Sequence, residues 1–141
     1  MIKKVFIDTD VVLDVALARS PFVETSKLVL ALLENNIAIG FTSSNCIANI
    51  YYVLRKAGGD KKARNFISKL LKYISIITID HVTVVEALNS KFTDFEDALQ
   101  YYCAIKNRCD CIITRNTTDY KLSRINIYLP IEYLKLYHEK L

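Results

Sequence analysis

Glycine and proline are scarce in this chain, three and two residues among 141. That shortage excludes a collagen-like, linker-like or low-complexity polymer and leaves a globular chain rich in regular structure. Long apolar runs are also missing. The longest, such as Ile74 to Ile79, are far shorter than the roughly 20 residues a membrane helix needs. The opening Met-Ile-Lys-Lys-Val-Phe-Ile-Asp places a carboxylate where a signal peptide needs continuous apolar residues, so a cytoplasmic protein is expected. Histidine is limited to His81 and His138, neither at ligand spacing. The four cysteines (Cys46, Cys103, Cys109, Cys111) form no Cys-x-x-Cys pair. A zinc site is therefore not expected, and the thiols read as reduced, buried small hydrophobes. On a strand, Cys109 and Cys111 would share a face.

Hydrophobic residues make up 52% of the chain, enough for one sizeable core, so residues 1–141 are expected to form a single domain. The net charge of +4 permits a polyanionic partner without demanding one. Arg55, Lys56, Lys61, Lys62, Arg64, Lys69 and Lys72 bunch in one stretch. It reads as a solvated helix face, with a nucleic-acid groove as the alternative. No internal repeat or linker interrupts the pattern.

Short β-branched runs alternate with longer amphipathic ones. That predicts a three-layer α/β/α sandwich around a central parallel sheet of about five strands. Strands are expected at Lys4–Ile7, Ile37–Phe41, Ser75–Ile79, Cys111–Thr114 and, weakly, Ile125–Tyr128. Helices are expected at Val11–Leu17, Phe22–Glu34, from Ser43 or Ser44 to Lys56 with a stop at Gly58-Gly59, from an Asp60 cap onward, and at Val82–Asn89. Thr93-Asp94-Phe95-Glu96 has capping-box spacing, with Thr93 at the N-cap and Glu96 at the third helical position, for a helix reaching Asn107. Pro130 is placed to open the last helix.

In open parallel sheets, ligands bind beyond the carboxyl ends of the strands. The residues there are Asp8, Thr9 and Asp10, then Thr42, Ser43 and Ser44, then Arg115, Asn116 and Asp119. Asp94 and Asp97 join them from the first turn of their helix, three apart and on one face. Like charges in one cleft repel, and a divalent cation removes that penalty. Carboxylate oxygens without thiolates suit Mg²⁺ or Mn²⁺, and such sites do phosphoryl chemistry. Bland roles compete: Asp10 as a helix cap, Asp94 as a dipole partner, Glu96 as part of the capping box, Asp14 in a surface ion pair with Arg19. Asp8 resists them, because it ends a buried apolar strand where an unpartnered carboxylate is costly.

These residues together resemble a known family. Val5-Phe6-Ile7-Asp8-Thr9-Asp10-Val11-Val12-Leu13-Asp14 is similar to the opening motif of PIN domains, the fold of toxin ribonucleases in bacterial toxin–antitoxin pairs. Thr93-Asp94-Phe95-Glu96-Asp97-Ala98-Leu99-Gln100 resembles the third acidic motif, and Ile112-Ile113-Thr114-Arg115-Asn116-Thr117-Thr118-Asp119-Tyr120 the fourth. Ser43, Ile50 to Lys56 and the Pro130 helix start also fit, so the match spans essentially the whole chain. The resemblance implies Asp8 and Asp97 as principal catalytic metal ligands, with Asp94, Asp119 and Asn116 contributing to a Mg²⁺ or Mn²⁺ site. It implies Thr9, Ser43, Asn49 and Arg115 as substrate contacts. The implied reaction is hydrolysis of single-stranded RNA, with a cognate antitoxin and a homodimer as protein partners and no membrane. Tyr51, Tyr52, Tyr101 and Tyr102 are candidates for a dimer interface or, at helical spacing, for core positions.

Two positions depart from the family pattern. Asn49 stands where PIN nucleases usually carry a glutamate, and Asn116 matches the usual fourth-motif aspartate. Asp10 and Asp119 are placed to compensate. Two alternatives follow. One is a catalytically weakened PIN domain that binds RNA or protein. The other is a haloacid-dehalogenase-type phosphatase, because Asp8-x-Asp10-x-Val12 resembles that family's nucleophile motif.

Overall fold

Val5 and Ile7 face one side of the sheet and Phe6 the other, as the two-residue period of a strand requires, and all three are fully buried. In the computed structural model, which describes residues 3–138, they form β1 (Lys4–Ile7). The chain continues through α1 (Thr9–Ala16), α2 (Val23–Glu34), β2 (Ile39–Ser43), α3 (Ser44–Gly58), α4 (Asp60–Leu70), β3 (Ile74–Ile77) and α5 (His81–Leu88). It ends with α6 (Phe95–Lys106), β4 (Cys111–Ile113), a 3-10 turn at Thr117–Tyr120, β5 (Asn126–Tyr128) and α7 (Pro130–His138).

The five strands are parallel in the order β3-β2-β1-β4-β5, with Phe6 beside Phe41 and Ile112, and Ile113 beside Tyr128. The chain first winds from β1 toward β2 and β3, then crosses to β4 on the other side. The crevice of the α/β sandwich therefore opens between β1 and β4. One core layer packs Val5, Ile7, Cys111 and Ile113 against α1, α2, α3 and Tyr133 of α7. The other packs Phe6 and Ile112 against Cys46, Tyr101, Cys103, Ala104, Cys109 and Tyr120. Gly40 allows the first layer to close, because a Cβ there would meet Leu33 Cδ1 at 2.6 Å.

Element boundaries shift by one or two residues for identifiable reasons. With so few glycines, three helices end on left-handed non-glycine residues: Ala18 (φ 49°), Asn36 (φ 59°) and Arg108 (φ 58°). At α2, Ile37 N–H donates to Leu32 O (2.9 Å) and Asn36 N–H to Leu33 O (3.1 Å), the pattern of a Schellman cap. Ile37 is thus used by the helix end, and β2 begins at Ile39 rather than Ile37. It continues to Ser43, where it pairs with Ile77. At α6, the same cap takes in Cys109, whose N–H donates to Ala104 O at 2.9 Å. Cys109 is therefore not on the strand, and it lies in the opposite core layer from Cys111. Asp60 does not cap α4. Gly59 does so at φ 93°, and Asp60 is the first helical residue, bonded to Arg64 and Tyr51.

The basic stretch is exposed, as read from sequence. α3 leaves the C-terminal edge of the sheet at Ser44 and runs back along it, so Arg55 lies roughly 16 Å down the helix. Lys69 and Lys72 precede the entry to β3. These cations sit toward the edge of the sheet opposite the crevice. Tyr101 is buried, Tyr51 and Tyr102 half-buried, and Tyr52 exposed beneath the Lys56 ammonium.

Candidate active site

Asp8 leaves β1 with extended backbone and becomes the N-cap of α1, its carboxylate accepting Thr9 N–H at 2.7 Å. Its other oxygen accepts the Thr114 hydroxyl from the end of β4 at 2.8 Å. Asp8 therefore spans the β1/β4 crevice. It is only 6% exposed. Burial pushes its carboxyl up to about 6, against the pull of the Thr114 and Thr9 hydrogen bonds, and the charge of Asp10 adds to the rise.

The second strong acid comes from α6. The expected capping box does not form there. Asp94, not Thr93, is the N-cap, and it accepts Asp97 N–H at 3.0 Å. The helix starts one residue later than expected because an aspartate outranks a threonine as a cap. Asp97 then sits half-buried in the first turn, with Tyr120 Oη 3.5 Å from its Oδ1. Its carboxyl is pushed up to about 7, first by burial and then by the charges of Asp94, Asp8, Asp119 and Glu96. The structure thus gathers acids from β1, α6 and the 3-10 turn.

Released from the capping box, Glu96 reaches across to α3. Its Oε1 accepts the Asn49 amide, with the Asn45 amide at 3.4 Å. Ser43 is fully buried and caps α3 by accepting Cys46 N–H at 3.0 Å, so its oxygen serves the helix start. The Thr9 hydroxyl oxygen is buried without a partner. Asn116 is exposed, its backbone N–H donating to the Thr114 hydroxyl at 3.1 Å, and Asp119 is exposed on the 3-10 turn. Three residues passed over as site residues in the sequence also meet here: Thr114, Gln100 and Tyr120, the last lying 3.5 Å from Gln100 Oε1. Gln100 carried a signal, being a polar residue one turn after Asp97 on its buried face.

Asp14 is not in a surface ion pair. It is fully buried, with Arg115 Nε at 3.0 Å and Arg19 at 3.8 Å. Arg115 lies 3.9 Å from Asp10 and over the Phe22 ring at 4.1 Å, so its guanidinium is engaged on α1 and its flank. Arg19 also reaches Asp10 at 3.7 Å. Among the described residues, salt bridges within 4 Å go to Asp10, Asp14, Asp60 and Asp80. None goes to Asp8, Asp94, Glu96, Asp97 or Asp119.

Among the described residues, no three His, Cys, Asp or Glu side chains stand close enough to hold a metal ion on their own. The donor set nevertheless fits a hard cation. Mg²⁺ is commonly held by one or two carboxylates, with waters and substrate phosphate completing its shell. Asp8 and Asp97, mutually repelling and neutralised by no cation, are that kind of pair. The thiols do not compete for it. All four are free and buried, and burial raises Cys103 to about 11 and Cys109 and Cys111 to about 12, so they stay protonated.

Residues 4–118 match the PIN domain family. The chain is 32% identical over 123 residues to Ribonuclease VapC1 of Aquifex aeolicus (strain VF5), covering 84% of this chain and 85% of that protein. The VapBC2 structure from Rickettsia felis, bound to a DNA fragment from its promoter, superposes with a TM-score of 0.70 at 14% identity, over 89% of this chain and 98% of that one. A toxin–antitoxin complex from Klebsiella pneumoniae gives 0.68 at 20% identity, over 89% and 97%. These structures share the fold. Among the described residues, no helix is long and apolar enough to cross a membrane.

Proposed function

The chain belongs to the PIN domain family, and from that premise we propose that it is a metal-dependent endoribonuclease cutting single-stranded RNA, the toxin of a toxin–antitoxin pair. The observation that carries the reading is the Asp8–Asp97 pair. It joins two buried or half-buried carboxylates at the strand-end crevice, and neither is neutralised by a basic side chain among the described residues. The 32% identical relative being a ribonuclease supports the chemistry, and the solved complexes of the same fold support an antitoxin partner; a cytoplasmic location belongs to the same proposal.

Asp8 and Asp97 would hold Mg²⁺ or Mn²⁺, with Asp94 and Asp119 adding negative charge and Asn116 an amide oxygen. When bound, the metal supplies a Lewis acid for the scissile phosphate and an activated water. The protein's own part is positional. Thr114 and the Thr9 N–H fix the two oxygens of Asp8, and the Asp94 cap fixes the first turn that carries Asp97. The buried Thr9 hydroxyl, without a hydrogen-bond partner of its own, is an unspent donor beside the Asp8 cap and the proposed contact for a phosphate oxygen. Glu96, held by Asn49 and Asn45, contributes a carboxylate on the α3 side where Asn49 itself offers none. Arg115 acts through Asp14 and Asp10, holding the loop after β4 in place rather than touching RNA.

The second reading, a weakened PIN domain that binds RNA or protein, draws on Asn49 and Asn116. One assay separates the two. Labelled single-stranded RNA is incubated with the protein and Mn²⁺, Mg²⁺ or chelator, beside an Asp8→Asn/Asp97→Asn control. Metal-dependent cutting that vanishes in the control supports the nuclease. Equal inertness of both proteins across several RNAs with both metals removes it and leaves the binding module.

A further inference from the structure

Two cavities open side by side next to Asp119, and they share Lys91, Phe92 and Leu122. The nearer one, about 370 Å³, is bounded by Asp119, Thr118 and Lys121. The farther one, about 450 Å³, is bounded by Tyr101, Tyr102 and Arg124, with Glu86 among its lining residues. Both fall within the range that holds a small ligand. Together they form a groove starting at an acid whose charge acts on Asp97.

The lining pairs two chemistries. Lys91, Lys121 and Arg124 are exposed, and no carboxylate lies within 4 Å of them among the described residues. The aromatic wall is fixed: Phe92 packs on Tyr101 at 5.0 Å and on Tyr102 at 6.2 Å, and the Tyr101 hydroxyl accepts Arg124 N–H at 3.0 Å. Phe92 and Tyr102 are half-buried, so part of each ring faces outward. Cations along a groove with aromatic walls are what a single strand requires, phosphates on the charges and bases on the rings. The members of the denser basic stretch that border a cavity, Lys62, Lys69 and Lys72, border ones that take in neither Asp119 nor this aromatic wall.

We infer that this groove is a nucleotide subsite for single-stranded RNA, with Lys91, Lys121 and Arg124 contacting backbone phosphates and Tyr102 with Phe92 stacking a base flanking the scissile bond. The inference rests on the nuclease reading and names where its substrate runs. A peptide ligand would use the same aromatic wall but would draw little from three cations, so salt dependence tells the two apart.

The test uses an Asp8→Asn/Asp97→Asn background, which cannot cut, and a short single-stranded RNA carrying 2-aminopurine. Lys91→Ala/Lys121→Ala/Arg124→Ala should weaken binding by tenfold or more and flatten the slope of log K against log salt by about 2, the value for three lost phosphate contacts on a single strand. Lys61→Ala/Lys62→Ala/Lys69→Ala, an equal charge change on exposed residues of the far stretch, should move neither quantity. Tyr102→Leu, which keeps apolar bulk, should weaken binding by about fivefold or more and relieve 2-aminopurine quenching. Unchanged affinity and slope in the groove triple, or equal loss in both triples, overturns the inference, as does the absence of any RNA binding. Cleavage in the wild-type background decides the other question. Cutting with an indifferent groove leaves the nuclease standing without this subsite, whereas salt-dependent binding in the groove without cutting leaves the subsite standing without the nuclease.

Discussion

Asp8 and Asp14 are both buried carboxylates, six residues apart at the N-cap and in the last turn of the same helix, and their surroundings are opposite in kind. Asp14 is enclosed with two guanidiniums, Arg115 at 3.0 Å and Arg19 at 3.8 Å. Asp8 has only a hydroxyl and a backbone N–H, and its nearest charged neighbours are further acids. Burial pushes both carboxyls up, but at Asp14 the arginines pull back, whereas at Asp8 and Asp97 neighbouring carboxylates push further. Burial alone therefore does not mark a functional acid. The sign of its neighbours does: a carboxylate neutralised inside the protein serves the fold, and one held by neutral donors keeps its charge for something from outside.

The largest effect that comparison forecasts is on cleavage. On the proposed reading Asp8→Asn and Asp97→Asn each remove a charge that would hold the metal, so RNA cutting should fall by about 10²–10³-fold. Melting temperature at pH 7.5 without metal should stay level or rise, because a repelled charge has gone. If Asp8→Asn instead melted early, Asp8 would be a structural acid like Asp14, and the distinction would collapse.

The mirror experiment is Asp14→Asn. The substitution removes the buried member of this cluster and leaves Arg115 and Arg19 only their longer contacts to Asp10, at 3.9 and 3.7 Å, which costs about 3 kcal/mol. Thermal unfolding should show a clear drop, while the folded fraction keeps cleavage within a few-fold of wild type. Loss of activity at full stability would place Asp14 in the chemistry and Arg115 with it.

How much of this was legible in the sequence follows the same division. The order of strands and helices, β1 to the residue, the acidic strand ends and the α3 stop at the paired glycines are local signals, written in periodicity and turn chemistry. Partner choice is not local. Nothing within ten residues of Asp14 announces Arg115, which arrives from β4 across the sheet, so the pair looked superficial. Competition between adjacent caps was equally hidden: Thr93 and Asp94 both qualify, and the winner decides whether Glu96 faces its own helix or Asn49 on α3. Thr114 and Tyr120 look like ordinary strand-end and turn residues until the β1/β4 register sets them beside Asp8 and Asp97.

A pH series sharpens the comparison further. Asp8 and Asp97 rise from the ordinary 3.8 to about 6 and about 7, so the folded chain holds protons there that the unfolded chain has released. Between pH 4 and 7 the folded state binds more protons, and stability falls as pH rises through that window. For the buried Asp8 alone the effect is about 2–3 kcal/mol. Metal-free protein should thus melt higher at pH 5 than at pH 8, and the Asp8→Asn/Asp97→Asn form should show a flatter profile. Mn²⁺ should raise the melting temperature more at pH 8 than at pH 5, because protons compete for the same oxygens. Asp60 and Asp80, whose carboxyls are held low by Tyr51 and Lys106, contribute stability above about pH 4 that is lost on further acidification. An unchanged melting temperature across pH 5–8 would contradict the raised carboxyls.

The smallest effect is the most discriminating about Asn49, which is a spacer, a lesion or a positioning residue. Its amide donates to Glu96, orienting that carboxylate without offsetting its negative charge as a lysine ammonium would. As a positioning residue, Asn49→Ala should leave the melting temperature nearly unchanged and weaken Mn²⁺ affinity about three- to fivefold, close to the ~1 kcal/mol of one exposed hydrogen bond. Glu96→Gln should weaken it at least as much, and the two changes together should be less than additive because they break one contact. Calorimetric titration of Mn²⁺ reads this without any cleavage. If Asn49→Ala were silent and Asn49→Glu alone strengthened binding, Asn49 would be a lost ligand and Glu96 no substitute for it. If both Asn49→Ala and Glu96→Gln weaken metal binding, the charge missing from α3 has been supplied from α6, on the same side of the comparison as Asp8.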